Sequence, residues 1–236
     1  AEAGFKSSPT GARRPADPDV FAPTPFDEAG SEDEFTGTLG ARFESAFTYL
    51  KPFSCCRYTH TAAAERRAMI AGGLDPAEVE SVRVGTHRGA VFLGERRPPT
   101  LEHAQYSFPF VLGAIASEGD AGPAQIAAGR LGDEAILEFA ARVTVEHDPA
   151  MDAHYPGHYA ASLRVALAGG GTVAGERVIA PGDTEEPLGE ERVRAKFERL
   201  AAPSFGTGAE RLREILDDPA GHAAGTLRRH LWSGLG

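Results

Sequence analysis

The densest run of reactive side chains is Lys51-Pro52-Phe53-Ser54-Cys55-Cys56-Arg57-Tyr58-Thr59-His60, which gathers two fixed cations, an imidazole, three hydroxyls and two thiols. It falls between a segment read as a strand and the start of a helix, where backbone N–H groups point outward. Lys51, Arg57 and His60 in that place suit the binding of two or three carboxylates, because helix N-terminal amides and basic side chains both favour an anion. The other reading is a polar loop ahead of a capped helix, with cations on the surface. Cations at a helix N-terminus oppose its dipole unless an anion is present. The adjacent thiols divide in the same way. Either Cys55 and Cys56 are small buried side chains, or they form a nucleophilic or redox centre, a thiol pKa being lowered by Arg57 and the helix terminus.

Other constellations carry less. His147-Asp148, Asp152, His154 and His158 supply three imidazoles and two carboxylates. Pro149, Pro156 and Gly157 interrupt them, so they read as a surface loop rather than a helical metal site. Gly169-Gly170-Gly171 has no Lys-Ser/Thr partner and no following helix, and reads as a hairpin turn rather than a phosphate loop. Glu185-Glu186 and Glu190-Glu191 flank a helix start and complement its dipole. No Ser/His/Asp elbow, nucleotide loop or paired-carboxylate motif is present, and no metal site is predicted.

The elements that must position the Lys51–His60 segment follow from periodicity. A strand is predicted from Phe43 to Leu50, ended by Pro52. A helix is predicted over 61–71 and stopped by Gly72-Gly73. Asp75-Pro76-Ala77-Glu78 is a helix start with room for one turn, before Val82 and Val84 alternate as a strand. Ser107 caps a helix whose Phe108, Val111, Leu112 and Ile115 share a face, with Pro109 in its first turn. A helix over Asp133–Ala141 precedes a strand over Arg142–Glu146. Leu163, Val165 and Leu167 form one arm of a hairpin that returns over Thr172–Ile179. Helices over 190–201 and 209–217 are predicted to bury Val193, Phe197 and Leu200, and Leu212, Ile215 and Leu216.

The fold class is therefore α+β. Residues 1–42 are predicted to be an extended arm or partly disordered, rich in proline and ending near the acidic Glu32-Asp33-Glu34. Residues 43–185 are read as a mixed α/β domain, and 186–236 as helices that pack on another body. The chain has 236 residues, 42% hydrophobic and 25% charged, with a formal charge of −10. That charge argues against nucleic acid and anionic membranes as partners. No apolar run approaches the ~20 residues that span a bilayer. The start lacks a signal-peptide pattern and an initiator Met, which is compatible with a processed or internal start as well as with a native one. Adjacent cysteines do not readily close a structural disulfide, and a reducing cytoplasm is the expected location.

Four motifs in order resemble the MmgE/PrpD family of 2-methylcitrate dehydratases, cis-aconitate decarboxylases and related isomerases and epimerases. Leu50 to His60 is similar to its Lys-Pro-Tyr-Pro-x-Cys-Arg…His segment. Ala104-Gln105-Tyr106-Ser107-Phe108-Pro109-Phe110 is similar to a Lys-Phe-Ser-Leu-Pro-Tyr helix start. Val143-Thr144-Val145 and Leu188 through Phe197 follow. The resemblance implies a small α+β lid domain with helical extensions that return to an all-helical domain, the active site lying in the cleft between. It implies a cofactor-independent lyase or isomerase acting by proton abstraction beside a carboxylate or carbonyl of a small metabolite. Lys51 and His60 become candidate catalytic groups, and Ser54, Arg57 and Tyr58 candidate substrate-binding groups. The family's acid/base His and Asp residues have no counterparts in this sequence. The implied partner is a separate all-helical chain in a heterodimer or larger hetero-oligomer; the alternative is a non-catalytic lid on such a chain. Phe110 and Phe53 stand where the family has Tyr, and Ser54 where it has Pro, which implies a substrate less polar than a tricarboxylate.

Overall fold

A computed structural model describes residues 47–206 and 208–218 and a few isolated positions on either side. The chain divides between Ala46 and Phe47, and the fold below is that of the part from Phe47 onward. The predicted arm over 1–42 lies almost wholly outside the described residues, as does much of the predicted strand from Phe43. Over 47–50, where that strand is described, the backbone forms none. Leu50 N–H donates to the Gly182 carbonyl at 2.8 Å. No ladder forms around that bond, and Phe47, Tyr49 and Leu50 stay 53%, 40% and 44% exposed.

Seven α-helices and four strands follow among the described residues. Helix α1 (His60–Ala71) runs to Gly72, and Gly73 turns the chain at φ +101°. A single 3₁₀ turn, Pro76–Glu78, is capped by Asp75, whose carboxylate accepts from Ala77 N–H at 2.9 Å. It leads into β1 (Val79–Thr86). Helix α2 (Leu101–Gln105) is a short element that hydrophobic spacing did not predict, because one and a half turns carry no period. Helix α3 (Phe108–Glu118) starts at the predicted Ser107 cap, which accepts from Phe110 N–H at 3.0 Å. Asp133 likewise caps α4 (Glu134–Ala141). Then come β2 (Val143–His147), α5 (Pro149–Asp152), β3 (Ala161–Leu167), β4 (Thr172–Arg177), α6 (Glu190–Phe205) and α7 (Gly208–Asp217).

The strands form one mixed sheet in the order β2-β1-β3-β4. β1 and β2 are parallel, with Val82 beside Val143 and Val84 beside Val145; the other pairs are antiparallel. This is the α+β fold expected. Alternation along β1 sends Val82 and Val84 into the core with Leu163, Val165, Phe108, Leu112 and Phe139. Arg83 and Arg164, which pair in register, point to the open face. Helix α3 is more enclosed than its predicted face: every residue from Phe108 to Ile115 is buried. A second cluster around Phe53, Phe110, Val111, Ile115 and Ile136 surrounds its other side. Gly113 permits this, since a Cβ there would stand 2.5 Å from the Ile136 carbonyl oxygen.

The two last helices correct the expected burial. Val193, Leu200 and Leu216 are 37%, 48% and 47% exposed, and Ala201 is the buried residue of α6. Three charged side chains of α6 also reach the rest of the fold: Lys196 and Arg199 the backbone at 51 and 52, and Arg194 the Asp217 carboxylate. Helix α7 covers only part of its apolar stripe, leaving an opening of about 170 Å³ walled by Val193, Phe197 and Leu216. Leu212 and Ile215 are buried as predicted.

Candidate functional site

The segment 50–56 has no regular structure, yet successive residues are tied to four different parts of the fold. Leu50 N–H reaches Gly182, Ser54 N–H donates to the Ala121 carbonyl at 2.8 Å, and Cys56 N–H donates to that of Gln105 at 2.7 Å. From α6, Lys196 Nζ donates to the Lys51 carbonyl at 2.7 Å and Arg199 to that of Pro52 at 3.4 Å. Arg199 also pairs with Asp120 at 2.7 Å. Gly182 is needed for the first tie: its φ of +89° and the close approach of the Leu50 carbonyl leave no room for a side chain. Phe53 is the apolar anchor, buried edge-on to the His60 ring at 5.4 Å between centroids.

Held in this way, the segment forms one wall of a cleft of about 340 Å³ lined by Lys51, Ser54, Cys55, Cys56, Gln105 and Tyr106. Lys51 is exposed, and Ser54 is half-buried. The other three predicted site residues are not among those that line it. The reason is the 3₁₀ turn Arg57–Thr59, which carries the chain inward before α1 begins. Arg57 is 6% exposed; it is ion-paired with Asp183 and lies over the Tyr49 ring at 4.5 Å. Tyr58 joins an aromatic cluster with His87 and Tyr159, at 4.9 and 4.6 Å between centroids.

His60 is fully buried, with Nε2 3.3 Å from the Cys55 carbonyl. A carbonyl only accepts, so Nε2 carries the proton and Nδ1 is left bare, without a partner. Burial, reinforced by the Arg57 charge, pushes this imidazole down to about 3. It is a neutral strut beneath the loop.

The thiols do not behave as an activated pair. Burial pushes Cys55 up to about 12, against the hydrogen bond from Thr59 Oγ1 at 3.0 Å, and burial raises Cys56 too. Both are protonated at neutral pH, contrary to the alternative of a lowered thiol pKa. Phe110 is buried in the second core cluster. The loop that held the metal-type residues is broken by the single turn of α5, capped by Asp148. His147 Nε2 pairs with Asp152 at 2.7 Å, and His158 with Glu185 at 3.3 Å. No group of three or more His, Cys, Asp or Glu among the described residues is arranged to hold a metal ion. No helix among them is long and apolar enough to cross a membrane.

Sequence reasoning missed Gln105 and Tyr106 as cleft residues, and Lys196 and Arg199 as supports. The last two had a legible signal, being three apart and so on one face of a helix. Asp183 had none: it meets Arg57 from 126 residues away.

The cleft therefore offers an ammonium, a hydroxyl, an amide and a phenol, which together suit a carboxylate or a polarised carbonyl. No histidine or carboxylate is among its lining residues, and burial raises the pKa of both of its thiols.

A four-stranded mixed sheet covered by helices, with a lysine-bearing cleft at the entry to the first of them, defines an α+β domain. Residues 53–220 match the MmgE/PrpD C-terminal domain, and the chain belongs to the MmgE/PrpD family, whose members are dehydratase-like enzymes. The match begins at Phe53, so Lys51 and Pro52 stand just ahead of it. No curated protein matches the chain.

Proposed function

We propose that this chain supplies the anion-holding wall of a lyase or isomerase site, with the acid/base groups supplied by a separate all-helical chain. The observation that carries the reading is the cleft itself, which has a lysine on a held backbone but no histidine or carboxylate among its lining residues. In this scheme Lys51 holds a carboxylate or carbonyl oxygen of a small metabolite. It offsets the negative charge that builds there when the neighbouring C–H proton leaves. Ser54, Gln105 and Tyr106 orient the same group. Lys196 and His60 act as positioning residues, the first by holding the Lys51 carbonyl and the second by holding that of Cys55. The outcome is loss of a β-hydroxyl, loss of CO₂ or reprotonation at a new face. The uncovered apolar residues of α6 and α7, Val193, Leu200 and Leu216, support a helical companion there.

The test is reconstitution with a helical MmgE/PrpD-type chain and assay on hydroxy- and unsaturated acids. Lys51→Ala is expected to lower kcat/KM by ~30–1000-fold, the effect of removing a charge partner from a covered site. Full activity in that variant overturns the reading. The apolar face of α6 and α7 also suits a second reading, a non-catalytic lid that stabilises the helical chain. Turnover by the helical chain alone, at the rate of the complex, would establish that reading instead.

A further inference from the structure

Tyr106 is shared by two recesses. It lines the Lys51 cleft and also a second cleft of about 370 Å³, whose other lining residues are Phe92, Leu93, Glu95, Glu102 and His103. The short helix α2 contributes to both, Gln105 to the first and Glu102 and His103 to the second, and Tyr106 is its C-terminal cap. The second cleft has an apolar floor: Leu93 is buried, while Phe92 and Tyr106 are 71% and 49% exposed. Its charged lining is acidic, Glu95 and Glu102, without a lysine or arginine among the lining residues. His103 is tied to the Thr100 hydroxyl at 2.7 Å through Nδ1. The two recesses are thus complementary in character, cationic and hydrogen-bonding on one side of Tyr106, apolar with an acidic rim on the other.

We infer that the substrate of this site is a monocarboxylate with an apolar tail, its carboxylate against Lys51 and its tail crossing Tyr106 onto Phe92 and Leu93. This rests on the reading of the Lys51 cleft given above. The acidic rim is what separates it from a polycarboxylate: a distal carboxylate placed in the second cleft would meet two like charges and no counter-ion. The Phe92 ring, largely exposed, becomes the contact for the tail.

The test is direct binding to the full chain, both recesses being contained in it, by calorimetry with crotonate, trans-2-octenoate and cis-aconitate. A buried methylene strengthens binding by about fourfold. Octenoate has four more methylenes than crotonate, and allowing for the open cleft it is expected to bind at least ~10-fold more tightly. Cis-aconitate is expected to bind less tightly than octenoate. Phe92→Ser and Tyr106→Ser, both at exposed positions, should each cut the octenoate-to-crotonate ratio several-fold. Glu102→Gln should raise cis-aconitate affinity relative to octenoate. Equal binding of crotonate and octenoate, tightest binding of cis-aconitate, or an unchanged ratio in Phe92→Ser overturns the inference. Lys51→Ala separates the two claims. Loss of affinity for all three acids with no chain-length preference refutes the tail site alone. A preserved preference with no effect of Lys51→Ala refutes the anion wall. No binding of any probe at millimolar concentration overturns both.

Discussion

Asp183→Asn isolates the contact that takes Arg57 out of the cleft. The guanidinium is 6% exposed and the carboxylate 23% exposed, and they join the entry of α1 to the loop after β4. Asparagine keeps the shape but removes the charge, leaving a buried cation over the Tyr49 ring without its counter-charge at 183. Removing one partner of a fully buried pair costs about 3–5 kcal/mol. Water reaches part of Asp183, so the expected loss is about 2–3 kcal/mol, or a fall of roughly 5–10 °C in Tm for a domain of this size. Urea denaturation of the full chain measures it. Arg57→Met combined with Asp183→Asn should be less destabilised than the two single losses added together, because the stranded charge is gone, with a coupling energy of about 2 kcal/mol. A coupling below about 0.5 kcal/mol would refute the claim that Asp183 holds Arg57, and would return the guanidinium to the set of groups free to meet substrate.

The remaining predictions concern buried groups. His60 is neutral in the fold down to about pH 3, whereas in the unfolded chain it takes a proton near 6.5. Its contribution is complete above pH 6.5 and is lost as pH falls from there toward 3, at up to ~1.4 kcal/mol per unit; His60→Leu should flatten that limb, and an unchanged pH profile would count against the buried neutral ring. Both thiols should resist iodoacetamide at pH 7.5 in the folded chain, Cys55 completely and Cys56 with slow labelling, then react quickly in urea; rapid native labelling refutes their protonated state. Arg66 is fully buried with Nε, Nη1 and Nη2 unpartnered, over the Phe139 ring at 5.0 Å. Burial pulls it down to about 10, so it is still charged at pH 7. Arg66→Met is expected to raise stability by about 1–2 kcal/mol, and a loss of 2 kcal/mol or more would mean that the guanidinium has a partner.

The local signals in the sequence were strong where one residue type decides a backbone state. Ser107, Asp133 and Asp75 stop or start their elements because a short polar side chain satisfies an amide the helix leaves open. Gly72-Gly73 ends α1 because glycine tolerates a positive φ. The alternation of Val82 and Val84 marked a strand with one buried face, and the Gly169-Gly170-Gly171 turn a hairpin. The same periodicity overstated α6, since a stripe at 3.6 spacing names a face that is fit to be buried and not what buries it. Leu200 is 48% exposed for that reason.

The Lys51–His60 run was legible as chemistry because unlike reactive groups were concentrated in it. Its composition did not say which of them face the same space. That was decided by the 3₁₀ turn at Arg57, which sends Arg57, Tyr58 and His60 inward and leaves Lys51 and Ser54 on the cleft. It was decided too by contacts across 126 and 145 residues, Asp183 to Arg57 and Lys196 to Lys51. Capping, turning and alternation depend on neighbours a few bonds away, so one chain segment specifies them. Burial, charge pairing and the shape of a recess depend on which distant segments arrive beside it, and the assembled fold alone determines that.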